Sequence, residues 1–205
     1  MLRFPVKGRT LQELKGLAEP QPVRGGVSEA IAWAFHDTEQ YVDVVTTHLD
    51  FFVNTKANRQ LSNLTPAGSL PEPQYFEVYG FMVDVLYPPS TVAWADVSQL
   101  LWGSGAEGAP IFTFTLADKN YGPWALTLLH GTGGITGFGL GPAAAAVEEY
   151  ANNSVPDGGM FQDGAIVIPP NQAFSAKIEW AAAVDIAANK YIRLTMAGVL
   201  HRRVL

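Results

Sequence analysis

The stretch HGTGGITGFGLGPAAAAVEEY, His130–Tyr150, decides between two kinds of fold. It sets six glycines within the eleven residues 131–141 and follows them with an alanine-rich run that could form a helix. A strand, a glycine-rich turn and a helix N-terminus would make a dinucleotide-phosphate cradle in an α/β sheet. Glycines alone serve a long crossing between strands, where positive φ and close backbone approach are needed.

Gly139-Leu140-Gly141-Pro142-Ala143-Ala144 has the letters of G-x-G-x-x-A. Three physical points count against the cradle. Pro142 removes a backbone N–H that the loop would offer to a pyrophosphate. No Lys or Arg occurs from Asn120 to Ala176, so no cation is near in sequence. The chain also lacks the alternation of strands with ten-residue helices that builds a parallel sheet, and it has no Gly-Lys-Ser or Gly-Lys-Thr for a Walker loop. The stretch therefore reads as an inter-strand crossing, with no nucleotide or other cofactor expected.

The flanking sequence has the period of strands. In IFTFTL, Ile111 to Leu116, Phe112, Phe114 and Leu116 alternate with Thr113 and Thr115. In AFSAKIEWA, Phe174, Ala176, Ile178 and Trp180 oppose Ser175, Lys177 and Glu179, and in YIRLTM, Ile192, Leu194 and Met196 oppose Tyr191, Arg193 and Thr195. YFEVYGFMVDVLY, Tyr75 to Tyr87, is apolar on both parities and reads as a strand covered on two sides. Gln40 to Lys56 reads as one long strand, and Pro123 to His130 and AIVI as two more. Short helices are expected at Ser28 to Phe35, with Ser28 as N-cap, and at Asp96 to Leu101.

The expectation is an all-β antiparallel sandwich of about eight strands, with the single jelly roll as the nearest common architecture. Residues 1–38 form an N-terminal arm and short helix in this reading, and 39–205 the sandwich.

With 205 residues, 48% apolar and only 16% charged, the chain suits one core and leaves surface for contact with other protein. Net charge is −6, yet Arg3, Lys7, Arg9, Lys15 and Arg24 crowd the first twenty-four residues. The acidic remainder argues against a broad nucleic-acid face. There are no cysteines, hence no disulfides or thiolate sites. Neither a signal-peptide core nor a run of about eighteen apolar residues is present, so synthesis in a cytoplasm is expected.

Chemical motifs are sparse. His48 and Asp50 share a strand face, but no third metal ligand is evident, and His-x-His is absent. No serine sits in G-x-S-x-G. Glu148 and Glu149 diverge on a helix and read as a solvated face. No catalytic residue is assigned, and the chain does not read as an enzyme. Of the five tryptophans, Trp102, beside Gly103-Ser104-Gly105, is the candidate for an exposed sugar-stacking ring.

FFVNTKANRQLSNLTPAGSLPEPQYFEVYGFMVDV (51–85), IPPNQAFSAKIEWAA (168–182) and RLTMAGVLHRRVL (193–205) together resemble single-jelly-roll capsid proteins of tailless icosahedral phages, over about residues 40–90 and 160–205. In those proteins a long strand leads through a polar Pro/Gly loop into a second strand. The resemblance implies a shell subunit of a virion, made in a host cytoplasm, whose partners are copies of itself and other capsid proteins. It further implies that Arg3, Lys7 and Arg9 of the arm, with Arg202 and Arg203, meet neighbouring subunits, membrane head groups or genome. A carbohydrate- or receptor-binding module using Trp102 is the alternative.

Overall fold

The computed structural model describes residues 22–23, 26–86, 99–103, 108–129, 138–140, 148–150, 160–186 and 189–204. It is built from antiparallel strands. One sheet runs β1 (Pro22–Val23), β2 (Gly26–Tyr41), β11 (Lys190–Val204), β4 (Tyr75–Leu86) and β9 (Met160–Ile168). A second runs β3 (His48–Phe51), β10 (Phe174–Glu179), β5 (Ile111–Leu116) and β6 (Lys119–Ala125). β7 (Phe138–Leu140) and β8 (Glu148–Tyr150) form a small pair.

Apart from β1 and that small pair, the described strands follow one rule. First pairs with last (β2 with β11), second with seventh (β3 with β10), third with sixth (β4 with β9) and fourth with fifth (β5 with β6). The contacts of β11 with β4 and of β10 with β5 then complete the two sheets.

The sheets pack face to face as a β-sandwich through the alternation already visible in the sequence. Phe174, Ala176, Ile178 and Trp180 are buried, as are Ile192, Leu194 and Met196. Phe81 of β4 meets Phe112 and Phe114 of β5, each at 5.0 Å between ring centroids, and Trp124 of β6 lies 5.9 Å from Phe112. Phe114 and Phe52 both touch Phe174, at 6.2 and 5.8 Å. Aromatic side chains thus fill the space between the sheets, each contact adding to the area term.

Four expectations need correction. Ser28 to Phe35 is strand, because β11 pairs with β2 from Lys190↔Tyr41 to Val204↔Val27; this ladder overrides the helical leaning of its alanines. The strand therefore runs across position 38, through the expected end of the arm. Gln40 to Lys56 is not continuous: β2 ends at Tyr41 and β3 begins at His48. Pro123 to His130 ends as strand at Ala125, and Leu126–Leu129 is a 3₁₀ turn with Leu126 and Leu129 buried. Glu148 and Glu149 lie on β8, paired with Leu140 and Gly139 of β7, and not on a helix face. Of the Asp96 to Leu101 helix, 99–102 is helical and Gly103 N–H closes the turn on Gln99 O at 2.9 Å, while 96–98 lie outside the described residues.

β11 crosses β4 at a bulge, where the register shifts between Ala197 and Gly198. A Cβ on Gly198 would stand 1.9 Å from Glu77 O, so only glycine admits this approach. Gly198→Ala is expected to destabilise by about 3 kcal/mol or more, the upper range for overpacking, and Phe81→Ala by about 3–5 kcal/mol through the cavity it leaves. Urea unfolding of both variants measures this.

Candidate functional site

The charged residues sort into a solvated outer set and a buried cluster. On the outer face of β3 and β10, Lys177 lies opposite Asp50 and Glu179 opposite His48. Lys177 Nζ contacts Glu179 Oε1 at 2.8 Å, and His48 Nε2 lies 3.7 Å from Asp50 Oδ2. All four are exposed enough to be water-screened, so this is a surface of alternating charge. Among the described residues no group of three His, Cys, Asp or Glu is arranged to hold a metal.

The residues expected at contacts with partners fall as follows. Arg3, Lys7 and Arg9 lie outside the described residues. Arg202 Nε donates to Glu29 Oε2 at 2.7 Å across the β11–β2 pairing, and Arg203, exposed beside it, is likewise engaged. Trp102 is half-buried and packed on the core, contrary to the expected exposure. Beside it, Gly103 holds φ 83° and approaches Gly108 so closely that a Cβ would stand 1.9 Å from Gly108 O. The exposed tryptophan among the described residues is Trp33, 43% exposed at the edge of the first sheet.

The buried cluster escaped sequence reasoning. Asp37 is fully buried on the core-facing side of β2, opposite Leu194. Its Oδ1 accepts Thr38 N–H at 3.0 Å and its Oδ2 accepts Phe52 N–H at 2.6 Å. Lys56, just beyond β3, directs Nζ at three acceptors: Asp37 Oδ1 at 2.9 Å, Glu39 Oε1 at 2.6 Å and the Thr38 carbonyl. Burial pushes the Glu39 carboxyl above its usual range, against the pull of Lys56. Charges this close, in so dry a setting, interact strongly and are costly to separate. The signal that would have found two of them is strand parity: once 26–41 is read as strand, Phe35, Asp37, Glu39 and Tyr41 share one face, and two acids stand among aromatics.

Next to it, Arg193 Nε donates to Thr38 Oγ1 at 3.2 Å and its Nη2 to Gln60 O at 2.8 Å. Asn63 accepts His36 N–H and donates to Ala34 O, both at 2.8 Å, so the 58–63 loop is laced to the edge of β2. Burial, with the Arg193 charge in support, lowers the His36 pKa from 6.5. A lowered folded-state value means that protonation favours the unfolded chain, so stability is lost as pH falls below 6.5. His36→Gln is expected to flatten that acid limb in thermal unfolding measured across pH. Compared with known proteins, the chain matches no family model, no curated protein and no solved structure.

Proposed function

We propose that the chain is a structural subunit of a virus particle, a single jelly roll that assembles into an icosahedral bacteriophage shell. The observation that carries this reading is the pairing order. A long antiparallel hairpin of four strand pairs, 1 with 8, 2 with 7, 3 with 6 and 4 with 5, rolled so that 8 meets 3 and 7 meets 4, generates the jelly roll, and the eight main described strands pair in this way. Jelly rolls serve capsids, lectins and metal-dependent enzymes alike. Two features favour the capsid. The space between the sheets is filled by apolar side chains, eight phenylalanines among those described, and one end of the sandwich presents apolar side chains on a stiff turn.

That turn, 42–47, exposes Val44 and Val45, the latter 71% exposed, with Val42 alongside. Val42 N–H donates to Thr46 Oγ1, Val44 N–H to Val184 O, Asp43 N–H to Asn189 Oδ1, and Ile186 N–H to Asp43 Oδ1. Val44 holds φ 47°, a conformation that costs a β-branched residue on the order of 1–3 kcal/mol. An apolar tip held rigid at such a cost suits burial against another subunit, since little entropy remains to be lost on contact. Trp102, on which the sugar-binding alternative rests, is partly buried against the core.

Light scattering of the purified chain, from dilute to concentrated and at low and high salt, is expected to give discrete rings or closed particles. Val45→Asp is expected to shift these to monomer while leaving thermal unfolding unchanged. A wild-type chain that stays monomeric throughout overturns the reading.

A further inference from the structure

We propose that Lys56 and Asp37 become joined by an intramolecular isopeptide bond, with Glu39 transferring the protons, so that folding installs a covalent tie between β2 and the segment after β3. The proposal is independent of the shell reading and rests on the buried cluster alone.

The reaction needs an amine held against a carboxyl group, exclusion of water, a proton carrier and a donor for the oxygen that gains charge. Each is present. Lys56 Nζ stands 2.9 Å from Asp37 Oδ1, with its position fixed by Glu39 and the Thr38 carbonyl. Such fixed proximity turns an unfavourable bimolecular encounter into a unimolecular step. Asp37 is fully buried and Phe52, beside it, is 1% exposed, so bulk water is kept from the carboxyl group. Moving one proton from the ammonium to the carboxylate gives the reactive amine and carboxylic acid with no outside reagent. Phe52 N–H, 2.6 Å from Oδ2, is aimed at the oxygen on which negative charge develops. Phe52 reaches that position with φ 63°, a left-handed conformation unusual for an aromatic residue.

The step balances. Nζ attacks Asp37 Cγ and the new N–C bond forms, leaving negative charge on Oδ2 and positive charge on Nζ. The protonated Glu39 carboxyl gives its proton to the departing Oδ1 hydroxyl, the Cγ–Oδ1 bond breaks and water leaves. The carbonyl re-forms at Oδ2, Nζ returns one proton to Glu39, and the product is an amide plus water. Nothing is oxidised or reduced, and Glu39 ends as it began. Glu39 is suited to this exchange by its 2.6 Å contact with Nζ and by the burial that favours its protonated form.

The test is the mass of the intact wild-type chain under denaturing conditions after native incubation, followed by tryptic mapping. The expected mass is lighter by one water than the sequence requires, with residues 25–59 recovered as one tryptic peptide lighter by that water and uncut after Lys56, and with its Asp37 and Lys56 pieces still joined after a further chymotryptic cut between them. Lys56→Arg keeps the charge but lacks the amine, and is expected to show the unmodified mass. Glu39→Gln, if folded by circular dichroism, is expected to stay unmodified over the time in which wild type converts. Folded wild-type chain that retains its full mass, with cleavage after Lys56, overturns the proposal. Conversion of Glu39→Gln at the wild-type rate removes Glu39 from the reaction.

Discussion

The ladder between β2 and β11 is the interaction on which the remaining structure depends. It joins a strand near the beginning of the described chain to the last one, in unbroken register from Lys190↔Tyr41 to Val204↔Val27. Because first pairs with last, each inner pair of strands is enclosed by the outer one. Few of these pairings are local, and loop-closure entropy must be offset before they return any stabilisation. β11 can fill this central position because it also pairs with β4, with the bulge at Gly198 reconciling its two neighbours.

What that ladder positions is a core of aromatic rings between the sheets. Phe35 and Phe76, 4.9 Å apart, lie on strands flanking β11, so the first sheet presents its rings as one surface. Polar handles are satisfied at the rim. Tyr41 Oη accepts Val184 N–H at 2.6 Å, and Trp180 Nε1 donates to Leu100 O at 3.0 Å. Each therefore contributes apolar area inside and a hydrogen bond where the chain leaves the core.

Strands whose two faces meet different environments were legible from sequence. IFTFTL, AFSAKIEW and YIRLTM alternate because one side meets the opposite sheet and the other meets solvent, and their structure follows. Ser28 to Phe35 was not legible: alanine and serine carry little strand signal, and the residues that decide its state lie on β11, at the far end of the chain. Gln40 to Lys56 misled for the opposite reason. Its β-branched and aromatic residues are strand formers throughout, while the break at 42–47 is met by backbone groups of Trp180, Val184 and Ile186 and by the Asn189 side chain, which no local window contains. The buried cluster combines both problems, since Asp37 and Glu39 become a pair only once β2 is a strand, and Lys56 reaches them across a corner.

That corner explains where the polar interior belongs. Between β2 and β4 the chain crosses to the second sheet and returns, with only the four residues of β3 pairing there. At each end of β3 the backbone turns through a left-handed non-glycine residue, Val44 before it and Phe52 after it. Sheet ladders leave such turning points with N–H groups that they do not pair, and buried donors need acceptors. Asp37 accepts Phe52 N–H on one side of the corner, and Asp43 accepts Ile186 N–H from the adjoining 180–186 segment on the other. A carboxylate is the strongest neutral-pH acceptor available, and the fully buried one needs a cation within reach. Lys56 arrives on the returning segment, so the group that stabilises the turn also draws in the charge that links β2 to it.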